Sequence, residues 1–116
     1  MESGVGEEGE ETAWEQKAAL SRFVGGKWEK IGTGLLKIKF GGESGPKGRI
    51  LARVEGSGVL LLNVKIHKDV KPAIQGGKAV SLSVVEKGKP STISIRVKDA
   101  ASAQKLEGVL KERASA

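Results

Sequence analysis

The chain has no cysteine and no tyrosine, and only one histidine, one methionine and three prolines among its 116 residues. Without cysteine there is no disulfide, no thiolate metal site and no cysteine nucleophile. A single imidazole, His67, excludes a His-rich metal centre and any mechanism that needs two. It sits beside Lys68 and Asp69 with no serine or carboxylate spaced to build a triad, so it is read as a loop histidine. Neither G-x-x-x-x-G-K-[ST] nor G-x-G-x-x-G occurs, so the "GTG" at 32–34 is not a phosphate loop. No apolar run approaches the roughly 20 residues of a membrane span. The opening Met-Glu-Ser-Gly has neither a basic nor an apolar leader region. The expectation is a soluble, intracellular, non-catalytic protein with no cofactor, no metal and no membrane contact. Only two tryptophans and two phenylalanines are available to stack on bases, which speaks against a nucleic-acid partner.

Charge is plentiful and unevenly placed. Residues 1–16 hold six glutamates and no lysine or arginine, while the following hundred hold all 20 basic residues and the other eight acids. A segment of −6 therefore precedes a body of +12. Residues 1–12 are rich in Gly and Glu and bury too little apolar surface to offset their ordering entropy. They are assigned as a flexible acidic arm, and 13–116 as one domain, which is all this length allows. The carboxylates Glu7, Glu8, Glu10 and Glu11 lack the spacing of a calcium loop. Arm and body together suit a partner carrying the reverse arrangement of charge.

Along the body the dominant period is two. In "KWEKIGTGLLKIKF" (27–40), Leu36, Ile38 and Phe40 share one face and Lys37 and Lys39 the other. Gly32 and Gly34 fall inside this segment, where glycine marks a bulge or sharp bend. "KAALSRFV" (17–24) precedes it, closed by the turn signal Gly25-Gly26. In "RILARV" (49–54), Ile50, Ala52 and Val54 oppose Arg49, Leu51 and Arg53. In "VLLLNVKI" (59–66), Leu60, Leu62, Val64 and Ile66 oppose Val59, Leu61, Asn63 and Lys65. Pro72 and Gly76-Gly77 argue against regular structure in 67–78. "AVSLSVV" (79–85) and "STISIRV" (91–97) are two further strands at hairpin spacing. From Asp99, a plausible N-cap, the period changes: Ala103, Leu106, Val109 and Leu110 recur at threes and fours, an amphipathic helix. Gly108 is a flaw in that helix unless its backbone must approach a sheet closely. Six or seven strands and one terminal helix predict a small twisted sandwich or partly open barrel, plugged by the helix.

Three blocks, in order, resemble the Ran-binding domain family. "AALSRFVGGKWEKIGTGLLKIK" is similar to its opening, with Phe23, Trp28, Gly32 and Gly34 in place. "GRILARVEGSGVLLLNVKI" is similar to its second block through Arg49, Leu51, Arg53, Leu60, Leu62 and Asn63. "STISIRVKDAASAQKLEGVLKER" is similar to its closing strand and helix. The likeness covers about residues 13 to 113, nearest to the domain that ends certain FG-repeat nucleoporins of the nuclear basket. It implies a pleckstrin-homology-like fold, mainly β with one C-terminal α-helix: two near-orthogonal antiparallel sheets capped by that helix. It implies a partner, the small GTPase Ran in its GTP form, whose acidic C-terminus wraps the domain while the acidic arm reaches a basic patch on Ran. A ternary complex with importins or exportins, and a nuclear-pore location on the basket side, follow from the same likeness. The usual Lys-Glu-Arg triplet reads Glu29-Lys30-Ile31 here, which predicts weaker binding.

The residues expected to meet Ran are Trp14, Trp28, Lys30, Lys37, Lys39, Arg49, Arg53, Asn63 and Lys65. Arg49 and Arg53 share a strand face and would offer paired guanidinium groups to acids. Trp28 is either a core plug or an apolar docking surface. Trp14 lies where arm meets body and suits a latch for the arm or for Ran's tail. The arm glutamates would act mainly through long-range attraction. The competing expectations are a phosphoinositide-binding domain of the same fold and a scaffold domain that has lost Ran binding.

Overall fold

The computed structural model describes residues 9–116. Its elements in chain order are β1 (Glu11–Val24), β2 (Lys27–Phe40), a one-turn 3-10 helix at Gly42–Ser44, β3 (Arg49–Arg53), β4 (Leu60–Lys65), β5 (Ala73–Gln75), β6 (Ala79–Glu86), β7 (Lys89–Arg96) and α1 (Ala100–Ala114). All seven strands pair antiparallel in the order β4-β3-β2-β1-β7-β6-β5. This is the small sandwich with one terminal helix that the strand pattern predicts, in the mainly-β, PH-like form that the family resemblance implies. Its two sheets are halves of one continuous ladder.

The long β1–β2 hairpin belongs to both halves. Its strands pair from Glu11↔Phe40 to Val24↔Lys27 and turn on Gly25-Gly26, whose φ values of 56° and 85° suit a two-residue turn. β2 meets β3 only through residues 35–39, and β1 meets β7 only through 19–23. Inside the stretch of β1 that meets β7 the β1–β2 register slips at Leu20/Ser21, with Ile31 as the extra residue of β2. Such a bulge sharpens the local bend. Gly34, three residues on, lies flush against the Arg53 backbone, and a Cβ there would collide with the Arg53 carbonyl. The two glycines thus stand where the sheet bends and where strands crowd, as their placement inside a strand pattern predicts.

The concave side holds the core. Leu36 and Ile38 of β2, Ile50 and Ala52 of β3, Leu62 and Val64 of β4, Val80, Leu82 and Val84 of β6, and Ile93 and Ile95 of β7 are all buried there. These are the inward alternates of each strand. The halves are tied by Ser83 N–H donating to Val70 O at 2.8 Å, ahead of β5. Helix α1 buries Ala103, Leu106 and Leu110 in the same cluster. Asp99 caps it, its carboxylate accepting from Ser102 N–H at 2.8 Å, and Lys111 and Arg113 occupy the last turn. Arg113 also lies 4.1 Å over the Phe40 ring and donates to Pro46 O at 2.9 Å.

Four details depart from the sequence expectations. β1 begins at Glu11, so it runs six residues upstream of the apolar run at 17–24 and into the segment assigned to the arm. The stretch 67–78 contains the short edge strand β5, with Pro72 just before it where no ladder N–H is needed. In β4 the alternation breaks: a register slip at Ala52/Arg53 turns Leu61 toward the core and leaves Leu60 exposed. Gly108 has open space around it, so no close approach explains it.

Candidate partner-binding face

Three strands build the convex face of the first half. Lys37 and Lys39 alternate outward on β2, Arg49, Leu51 and Arg53 on β3, and Asn63 and Lys65 on β4. Register sets them in two rows: Lys37 beside Leu51 beside Asn63, and Lys39 beside Arg49 beside Lys65. Six of the nine residues expected to touch a partner are thus brought onto one surface. Thr12 and Glu15 of β1 extend the same rows, opposite Lys39 and Lys37.

Arg49 is the most constrained of these cations. Its Nε donates to Glu10 Oε2 at 3.0 Å and its Nη2 to Glu10 Oε1 at 2.7 Å, while Nη1 donates to Asn63 Oδ1 at 3.2 Å. The Arg49 side chain is 10% exposed and that of Glu10 only 1%. Burial by itself would push the Glu10 carboxyl up. The hydrogen bond from Arg49, helped by Ser44 and by the charges of Arg49 and Lys39, overcomes it and holds the group below the usual carboxylate value. Beside this pair Lys39 Nζ donates to Thr12 Oγ1 at 2.8 Å. Arg53 Nη1 donates to Gly58 O at 2.9 Å, which pins the guanidinium over the β3–β4 turn.

Between Lys37 and Arg53 lies a groove of about 340 Å³ with Leu35 and Leu51 in its wall. Sequence reasoning did not single out these leucines as site residues. The available signal was their parity, since both fall on the basic alternates of their strands. A second thing missed is that Glu10 and Arg49, assigned to opposite poles of a partner, face each other. Nothing in the sequence spacing shows it, because the contact crosses β2 and needs the sheet register.

The remaining expected residues lie elsewhere. Trp28 and Lys30 sit on the convex face of the second half, around a groove of about 390 Å³ with Ala19, Ser21, Ser94 and Arg96. Trp28 is exposed and meets Phe23 edge-on at 5.1 Å between ring centres, so it is not a core plug. Trp14, paired with Ile38, packs against the core from its rim. Glu11 is exposed at the start of β1, and Glu7 and Glu8 lie outside the described residues. A larger groove of about 790 Å³ runs from Phe23 and Val24 to Val85, Pro90 and Asn63. Across it Arg22 Nε and Nη2 donate to Glu86 at 2.8 and 2.6 Å. Among the described residues no group of His, Asp and Glu side chains could hold a metal ion.

Fold and site together define a binding module of PH-like architecture. The chain belongs to the RanBP1 domain family, whose sequence profile matches residues 2–116; members of this family are not enzymes, and neither is this domain. Nucleoporin nup61 of Schizosaccharomyces pombe is 40% identical to it over 114 residues, 95% of this chain and 21% of that protein. The chain thus spans about a fifth of that relative's length. The Ran-binding domain of the nuclear complex component Nup2 from Ashbya gossypii superposes with a TM-score of 0.80 at 28% identity, over 93% of this chain and 97% of that one. The EVH1 domain of Dm DCP1, solved with a peptide of XRN1, superposes at 0.68 with 13% identity, over 91% and 78% of the two chains, and shares the fold alone.

Proposed function

We propose that this domain binds the small GTPase Ran in its GTP form, as a module of a nucleoporin working in nucleocytoplasmic transport at the nuclear pore. The observation that carries the reading is the convex face of β2, β3 and β4. It sets Lys37, Lys39, Arg49, Arg53 and Lys65 in register across three strands. An extended acidic segment laid across that face meets a cation on every strand, with the groove between Lys37 and Arg53 beside them. The Ran C-terminus, acidic by the family likeness, has that chemistry. The arm ahead of β1 supplies the complementary negative charge for a basic patch on Ran. Disassembly or recycling of complexes with importins or exportins on the basket side is the transport step this binding would serve. The cations stand on a sheet face and not clustered in the β1–β2 turn, where only Lys27 adjoins the glycines. That placement favours a protein tail over a phosphoinositide headgroup.

The test is a titration of the domain against Ran-GTP, Ran-GDP and Ran-GTP lacking its acidic C-terminus. Binding to the first, and loss of at least about tenfold in affinity for the other two, is expected. The paired change Lys37→Glu and Arg53→Glu should weaken Ran-GTP binding further and flatten its salt dependence. Equal affinity for intact and truncated Ran-GTP would remove the proposal.

A further inference from the structure

The cation best placed to meet a partner's acid already holds one. Arg49 grips the Glu10 carboxylate with two nitrogens, and Asn63 fixes the third, so the plane of the guanidinium is set. We infer that Arg49 and Asn63 form a carboxylate cradle in which Glu10 is a resident intramolecular ligand, displaced when an acidic peptide from a partner takes its place. The inference rests on the reading of this face as an acid-binding surface.

Two features support exchange over a purely structural pair. Glu10 lies outside the ladder: β1 starts at Glu11, which pairs with Phe40, so Glu10 can leave without breaking a strand bond. The exchange also conserves chemistry. One carboxylate replaces another on the same two donors, so Arg49 is never left buried without a counter-ion, and Glu10 regains its hydration on release. A tethered ligand competes at a high effective concentration, so it lowers the apparent affinity of every incoming carboxylate. Glu10 then acts as a threshold: a peptide offering one acid gains little at Arg49, whereas a run of acids can also meet the exposed Lys65 in the same row.

The experiment titrates the whole domain and its variants with a fluorescein-labelled hexaglutamate peptide and, separately, with Ran-GTP. Glu10→Gln keeps size and an acceptor but removes the charge. It should bind hexaglutamate roughly three- to tenfold more tightly than the parent. Glu10→Asp keeps the charge and shortens the reach, and should fall between them, which guards against a Glu10→Gln protein that folds poorly. Glu112→Gln removes the same charge from the exposed face of α1 and should change affinity less than about twofold. In an Arg49→Gln background the gain from Glu10→Gln should vanish. If Glu10→Gln binds the peptide no better than the parent, or gains no more than Glu112→Gln, the resident-ligand inference fails. If Ran-GTP still binds in that case, the proposed function stands without it. If neither peptide nor Ran-GTP binds the parent, the proposed function fails and takes the inference with it.

Discussion

Two arginine–glutamate pairs span the same kind of gap in different halves of the sheet. Glu10, just ahead of β1, reaches Arg49 of β3 over β2, and Arg22 of β1 reaches Glu86 of β6 over β7. Both are two-pronged, with shortest N–O distances of 2.7 and 2.6 Å. Their surroundings differ. The Arg49 and Glu10 side chains are 10% and 1% exposed, those of Arg22 and Glu86 32% and 22%. In the paired state water reaches the Arg22 pair and hardly reaches Glu10. Bond length is therefore a poor guide to what each pair does, and burial a better one. The neighbours differ too. Asn63 and Lys39 flank the first pair, whereas the second opens onto a groove of mixed lining, with Phe23, Val24 and Val85 beside Lys87 and Lys89. One half of the sheet encloses its pair among neighbouring side chains, and the other leaves its pair at the wall of an open groove.

The comparison breaks most sharply when one partner is deleted. Arg49→Ala removes a shielded, two-pronged charge-assisted pair, and Glu10 then turns outward to water, so it should cost about 2–3 kcal/mol in urea unfolding. Arg22→Ala removes a wetter pair and should cost about 1 kcal/mol. Removing Glu10 together with Arg49 should cost little more than Arg49→Ala alone, because the two side chains make the same contact. Equal costs for the two arginines would show that burial does not separate the pairs.

Acid sharpens the same contrast. Glu86 is held below the usual carboxylate value chiefly by the hydrogen bond from Arg22, against burial; on Glu10 burial is the strongest single influence, and the hydrogen bonds from Arg49 and Ser44 with the nearby charges together outweigh it. A lowered folded value means each group adds stability above its unfolded value, lost as the pH falls through the folded one. In Arg22→Gln this acid-side loss should shrink. In Arg49→Gln the main opposition to burial is gone and the Glu10 carboxyl moves up. The acid-side loss that Glu10 contributes then shrinks too. Urea midpoints read on the acid side of neutrality in the parent and both variants check that each slope is shallower than the parent's.

Much of this arrangement was legible before any fold was known, and the parts that were not share a cause. Period two placed Lys37, Lys39, Arg49, Arg53, Asn63 and Lys65 on outward alternates correctly, because alternation within one strand is local. Gly32 and Gly34 announced the bend for the same reason. Cross-strand facts were hidden. The Glu10–Arg49 contact depends on which strand lies between them, and the exposure of Leu60 depends on a slip in β4 against β3. β5 was obscured by Pro72 and the Gly76-Gly77 pair, since three residues on a sheet edge carry almost no pattern of their own. Trp28 read equally well as core or surface because residue type does not report which half of a bent strand it occupies.

A third ion pair extends the comparison to its weak end. Lys17 of β1 and Glu55 of the β3–β4 turn stand 3.4 Å apart with side chains 67% and 54% exposed. Here both groups keep most of their water, and ions at ordinary salt screen them within roughly 10 Å. Holding two flexible side chains in one geometry also costs entropy that weak attraction barely offsets. Lys17→Gln should therefore change unfolding stability by less than about 0.5 kcal/mol, and less still in 0.5 M salt. The three pairs then rank by exposure, since the two shortest contacts are nearly equal in length yet expected to differ in cost. A Lys17→Gln loss as large as that of Arg22→Ala would reverse this ordering, and direct attraction between the charges would have to replace burial as the quantity that sets it.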